Sequence, residues 1–318
     1  MPEEFTIRIE RKGKQRSEVD MFKKLNIADK KLEGFLNHCV EQFVMLAQKS
    51  IIKPNEAERA MKIFSIFLHD AGYLPASSTD DAELDVIKHS LQVNKKYAHL
   101  IDSAKTFNDQ ELDKVKQTLF HEFIHILQYN YNGHGIAYRN KSQGVYEKCL
   151  DEVAASIGVQ YLWRDYLIGV KQKKEAKVIE RWFGSVISGW GDMLLPIATE
   201  SQDETPNYDC EYAEVVSVVT PMLKATDMPY ETFVRGSTVF GGEIREKLPL
   251  RFVQATGNQF DKFKDMANKI FDFLHYDSER QFKEDSRGRV RRYEFDVNKE
   301  LEKIDAIVKP RENIANEV

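Results

Sequence analysis

The chain has 318 residues, 42% of them hydrophobic and 31% charged, with a formal net charge of −5. That length suits one large domain or two modest ones with a sizeable core, and the acidic balance argues against a general nucleic-acid binder, which needs clustered positive charge. No apolar run is long enough to span a bilayer, so a membrane span is not expected.

The opening MPEEFTIRIERKG carries acidic residues where a secretory signal has a basic start and an apolar core. Cys39, Cys149 and Cys210 are scattered, an odd count that points to reduced thiols. A cytoplasmic location is therefore expected, with export by a route that uses no cleavable signal as the alternative.

Phe5 to Glu10 alternates apolar and polar and predicts a short strand. From about Glu18 to Ile52 the spacing turns helical through Met21, Phe22, Leu25, Leu32, Phe35, Leu36, Cys39, Phe43 and Leu46. Pro54 opens a further helix, with Gly72 as its stop. LPASSTDDAE is loop chemistry, and Leu84 to Val93, LDVIKHSLQV, predicts a strand. Asn108 with Glu111 three positions later forms a capping-box pattern. Behind it Leu112, Val115, Leu119, Phe123, Ile126 and Leu127 recur at helical intervals, predicting a helix from about Asp109 to Tyr129.

Asn132-Gly133 ends that helix, and a second follows around Lys148–Asp165 on Leu150, Val153, Ala154, Ile157, Tyr161 and Leu162. Helices are then expected over Val178–Gly189, Asp209–Thr226, Tyr230–Lys247 and Gln259–His275. Val297, Leu301, Ile304 and Val308 give one peripheral amphipathic helix in an otherwise charged end. The run SRGRVRRYE is short and followed by acidic residues, which reads as a solvated face.

The chemistry concentrates in TLFHEFIHILQ, residues 118–128. Residues four apart on an α-helix lie about 40° apart in projection and one turn apart in height, so His121 and His125 can aim at one point. Zinc accepts neutral imidazole nitrogens, and a catalytic site keeps a position for water. Glu122, about 100° round the helix, reaches that water without displacing a histidine and serves as general base. This is the His-Glu-x-x-His arrangement.

Two histidines need a further protein ligand. A third histidine six residues after His125 is ruled out because that position is Tyr131, with Gln128 where the metzincin pattern has glycine. Glu152, on the next predicted helix, is the preferred third ligand: 26 residues separate it from His125, enough for a loop and an antiparallel return. Ala155 and Ser156 beside it are small enough for two helices to approach closely. Asp151, Glu147 and His134 are the rivals.

On these residues, over about 108–165, the chain resembles the zincin-type zinc metallopeptidases of the gluzincin group. The resemblance implies His121 and His125 as ligands, Glu122 as base, Glu152 as third ligand and one Zn2+ per chain. Many gluzincins carry an aspartate four residues after that glutamate to orient a ligating histidine, whereas this chain has Ser156. The resemblance also implies a mixed sheet upstream, its edge strand holding an extended peptide, with LDVIKHSLQV as that strand.

Zincins commonly place a tyrosine or histidine at the developing oxyanion. In NYDCEYAEVV, Tyr212 is the choice here over Tyr208. His134, in a glycine-flanked loop, is a lesser candidate donor.

The expected architecture is α-rich α+β. Residues 1–170 form a zincin-like core carrying the motif helix, 171–275 a helical part closing the cleft, and 276–318 a charged peripheral tail. The expected activity is peptide-bond hydrolysis of a protein or peptide substrate by zinc-activated water. The alternatives are a zinc-stabilised non-catalytic scaffold and a zinc hydrolase acting on a non-peptide amide.

Overall fold

In a computed structural model that describes residues 27, 29–85, 88–129, 145–171, 226–241, 253–257, 259–275 and 297–308, with short pieces at 176–177, 222–223, 250–251, 282–284 and 290–292, the first helix is opened by Asp29. Its carboxylate accepts from the backbone N–H of Lys31 (2.9 Å) and Leu32 (3.0 Å), two donors that the first helical turn leaves unpaired. Helix α1, Lys30–Ala47, then buries Leu32, Phe35, Leu36, Cys39, Val40, Phe43 and Val44 along one stripe. Pro54 begins a single 3₁₀ turn, Pro54–Glu56, where its missing N–H costs nothing, and α2 follows over Ala57–Phe67.

Gly72 is not the helix stop that its position suggests: α2 ends at Phe67 with Leu68 as its cap, and Gly72 starts strand β1, Gly72–Leu74. Strands β2, Ala82–Asp85, and β3, Ser90–Asn94, complete a three-stranded sheet in the order β1-β3-β2. β3 runs parallel to β1 and antiparallel to β2, so β2 is an edge strand, and it packs against the motif helix. Buried Asn94 donates to the carbonyls of Ser78 (3.0 Å) and Asp80 (2.8 Å), fixing the loop before β2.

LDVIKHSLQV is therefore not one strand. It contains the end of β2, a turn, and most of β3. Asp85 accepts from the Lys88 N–H at 2.9 Å and His89 adopts φ +50°, so side chain and backbone reverse the chain where the alternation looks continuous.

After a short helix α3, Ala98–Ser103, a 3₁₀ turn at Gln110–Leu112 leads into the motif helix α4, Asp113–Gln128. The expected capping box does not form. The Asn108 side chain instead accepts from Gln42 (2.9 Å) and pairs with His38 (3.1 Å), tying the loop to α1. Phe43 sits edge-on to Phe64, Phe120 and Phe123, with ring centroids 5.6, 5.6 and 5.5 Å away, so α1, α2 and α4 share one aromatic hub. Lys116 is wholly buried, with its ammonium on the Tyr166 hydroxyl at 2.9 Å.

Helix α5, Val145–Gly169, packs along α4. Gly158 makes this possible: a Cβ there would lie 2.6 Å from Ile124 Cδ1 and 2.9 Å from Val234 Cγ1. Val234 belongs to α6, Tyr230–Ser237. This helix is shorter than the expected Tyr230–Lys247 because Thr238 turns extended and its hydroxyl donates to the Arg235 carbonyl (2.8 Å). Gly241 then lies so close to that carbonyl that a Cβ would be 2.1 Å from it.

Arg235 grips both carboxylate oxygens of Glu56 at 2.8 Å and the carbonyls of Ile51 (2.7 Å) and Phe240 (2.8 Å), binding α6 to the α1–α2 connection. Helix α7, Phe260–His275, packs on α5, and α8, Val297–Val308, packs on α7 with Ile304 and Ile307 buried. Strands β4, Phe282–Glu284, and β5, Val290–Arg292, pair antiparallel.

The architecture is α-rich α+β with a small mixed sheet. Among the described residues no helix is long and apolar enough to cross a membrane. The expected strand at Phe5–Glu10 and helix at Val178–Gly189 lie outside the described residues, as does most of Asp209–Thr226.

Candidate metal centre

The apolar face of α4 is taken up by the aromatic hub and by α5, which turns the His121–His125 edge toward the seam between α4 and α5. His125 is 4% exposed, while the side chain of His121 retains 18%. One imidazole forms the floor of the site and the other its rim. Their Nε2 atoms are 2.9 Å apart with the rings at 79° to each other, so both edges face one point rather than stacking. Glu152, 8% exposed on α5, brings its Oε2 to 3.3 Å from His125 Nε2 and 3.6 Å from His121 Nε2.

These three atoms can be tested against an ion. A tetrahedral zinc with ligands at roughly 2.0–2.1 Å has ligand–ligand edges of about 3.3 Å. The observed edges of 2.9, 3.3 and 3.6 Å bracket that value, and the donor chemistry suits zinc: two imidazole nitrogens and a carboxylate oxygen. The residues present fit the ion. Among the described residues His121, His125 and Glu152 are the group of three such donors that meet within reach of one cation.

The electrostatics point the same way. Burial alone would make His125 give up its proton more easily, but the Glu152 carboxylate outweighs it. With help from Glu122 and Gln128, the imidazole pKa is brought up to about 9. Burial pushes Glu152 up, and His125 and His121 more than reverse this, holding its carboxyl well below the usual range. A cluster that holds a proton this tightly in a buried place is a cluster short of positive charge. Glu122 is half-buried and close enough to His125 to contribute to this field.

Behind His125 stands a residue that the sequence reading passed over. Gln128 Oε1 lies 2.6 Å from His125 Nδ1, and its amide nitrogen donates to the Asp151 carbonyl (2.9 Å) and to Ser237 Oγ (3.1 Å). The i,i+3 spacing from His125 was visible in the chain; its partners, 23 and 109 positions away, were not. Of the rival third ligands, Asp151 is buried but lies outside the three-donor group. Glu147, His134, Tyr208 and Tyr212 fall outside the residues whose side chains are described, as does Cys149. Ser156, in the place of the expected orienting aspartate, is buried on α5.

Comparison with protein-family models, with curated proteins and with solved structures yields no match to this chain.

Proposed function

We propose that the chain is a zinc-dependent peptidase of the zincin type, with His121, His125 and Glu152 holding one Zn2+ and Glu122 acting as general base. The observation that carries this reading is the meeting of two helical imidazoles with a carboxylate from the neighbouring helix, at edge lengths suited to a tetrahedral ion. The Glu122 carboxylate stands one residue from the first of them.

When bound, the zinc would polarise a scissile carbonyl and acidify the attacking water. Glu122 takes the proton from that water and delivers it to the leaving nitrogen, a role that needs a carboxylate beside the ligands but not among them. His121, the more exposed imidazole, borders the side from which substrate enters. His125 and Glu152, buried behind it, keep the rear of the site dry. Edge strand β2, packed on α4, is where an extended peptide would add to the sheet.

The test combines metal content with turnover. The purified chain should contain close to one zinc per molecule and cleave members of a proteome-derived peptide library. Glu122→Gln should retain the zinc and lose cleavage by at least about 100-fold. Zinc without cleavage in the parent would identify a scaffold site, and cleavage confined to non-peptide amides would identify a different hydrolase.

A further inference from the structure

The hydrogen bonds behind His125 have a polarity that can be read from one end to the other. The Ser237 hydroxyl lies 2.7 Å from the Val234 carbonyl, which can only accept, so Ser237 spends its proton there. Its oxygen must then accept from Gln128, 3.1 Å away. The Asp151 carbonyl, again only an acceptor, takes the other amide hydrogen at 2.9 Å. Both donors of Gln128 are thereby committed to the side away from the histidine. A flipped amide would set its oxygen against two acceptors, which a buried site penalises. Oε1 is left facing His125 Nδ1 at 2.6 Å, and it can only accept.

We infer that Gln128 and Ser237 are positioning residues that fix the His125 proton on Nδ1 and so keep the Nε2 lone pair turned to the metal position. The order starts at a backbone carbonyl in α6 and ends at a ring nitrogen in α4. Two further features hold the relay in place. Gln128 is 1% exposed and Ser237 6% exposed, so water does not compete for these bonds. Val239 N–H donates to the Leu127 carbonyl at 2.9 Å, anchoring the α6 exit directly on the last turn of α4.

The same amide spans α4, α5 and α6, and its contact on α5 is the carbonyl of Asp151, the residue before Glu152. A single side chain therefore sets the orientation of one ligand and the height of the backbone that carries another. Histidine ligands in metal sites commonly donate their second nitrogen to such a partner, and its loss typically weakens metal binding by about 10–100-fold.

The consequence for zinc rests on the proposed metal site; the position of the proton does not. Two measurements separate them. Zinc affinity is read by chelator competition on the full chain. Gln128→Leu should weaken it by roughly 10–100-fold, and Ser237→Ala by less, since the Asp151 carbonyl still directs the amide. Gln128→Glu keeps an acceptor toward Nδ1 and should bind zinc more tightly than Gln128→Leu. If Gln128 merely clamps helices together, that order reverses, because a carboxylate faces two acceptors with nothing to donate.

The second measurement is two-bond proton–nitrogen NMR of the metal-free protein labelled in its histidine rings, recorded where the His125 ring is neutral, with His125 assigned by substitution. The parent should carry a slowly exchanging proton on Nδ1, and Gln128→Leu should lose that protection. A ring protonated on Nε2 alone overturns the relay, as does zinc affinity unchanged in Gln128→Leu. A parent that takes up no zinc while its Nδ1 proton is in place overturns the metal reading and leaves the relay standing.

Discussion

Removing the Glu152 charge while keeping its shape, Glu152→Gln, should change how the metal-free protein responds to alkali. His125 has its pKa raised from 6.5 to about 9, because the neighbouring carboxylate overcomes the effect of burial. A histidine that binds its proton more tightly folded than unfolded stabilises the fold fully below pH 6.5. That contribution is lost as pH rises through about 9, since over this window the native state holds the proton the unfolded chain has released. Each tenfold difference in proton affinity is worth about 1.4 kcal/mol, so the interval corresponds to about 3 kcal/mol. The gain belongs to the pair, and counting it again for Glu152 would double it.

Chelator-treated parent protein should therefore lose about 3 kcal/mol of unfolding free energy between pH 6.5 and pH 10, measured by urea titration at each pH. Glu152→Gln should be less stable than the parent at pH 6.5 and show little further loss across the same interval. Other groups titrate near pH 10, so the quantity that matters is the difference between the two proteins. Parallel curves for parent and variant would refute the pairing on which the site is built. Bound zinc should erase the difference in the parent, because a histidine held as a neutral ligand no longer carries the proton whose loss is costly.

Gly158→Val should cost about 2–3 kcal/mol by overpacking, because even a Cβ at this position would sit 2.6 Å from Ile124 and 2.9 Å from Val234. Zinc affinity should fall with it, and denaturant titration beside chelator competition checks both. Arg235→Met removes two bonds to Glu56 and two to backbone carbonyls, and a loss of about 2–3 kcal/mol is expected from the partly buried groups left unpaired. The same change should flatten the acid limb of stability. Arg235, acting against a modest burial effect, holds the Glu56 carboxyl below its ordinary value of 4.5; that contribution is present above pH 4.5 and lost as the carboxyl protonates below it. Acid titration of the parent and variant by circular dichroism reads the difference.

The parts of the site visible in the chain are those whose signal is local. The apolar interval of α4 and the four-residue step from His121 to His125 are properties of one helix, and the helix forms where that interval places it. Glu152 was accessible at one remove, through a second helical segment and small neighbours. The residue that lets the helices close is Gly158, six positions further on, which periodicity alone treats as a weak point. Three features misled for one reason: a side chain capable of a local role took another. Asn108 has the spacing of a cap, yet it pairs with Gln42 and His38 on α1. Asp85 and His89 fit an alternating strand, yet they make a turn. Thr238 continues an apolar helical pattern, yet its hydroxyl ends α6. Partners distant in sequence decide the first, and no window along the chain contains them.

The site also explains why so much of the fold converges on the last two turns of α4. A buried carboxylate and a buried imidazole are costly unless their charges are balanced, and without an ion the balance comes from protons. Neutral imidazoles leave Glu152 and Glu122 as two negative charges beside the seam, and the raised proton affinity of His125 supplies only partial relief. The proposed divalent cation, at the point faced by both Nε2 atoms and Oε2, would compensate both carboxylates and leave the imidazoles neutral, as ligands must be. The aromatic hub on α1 and α2, the close approach at Gly158 and the Arg235–Glu56 grip frame the three donors, which lie within 3.6 Å of one another. That arrangement suits the proposed ion, whose ligand distances are fixed.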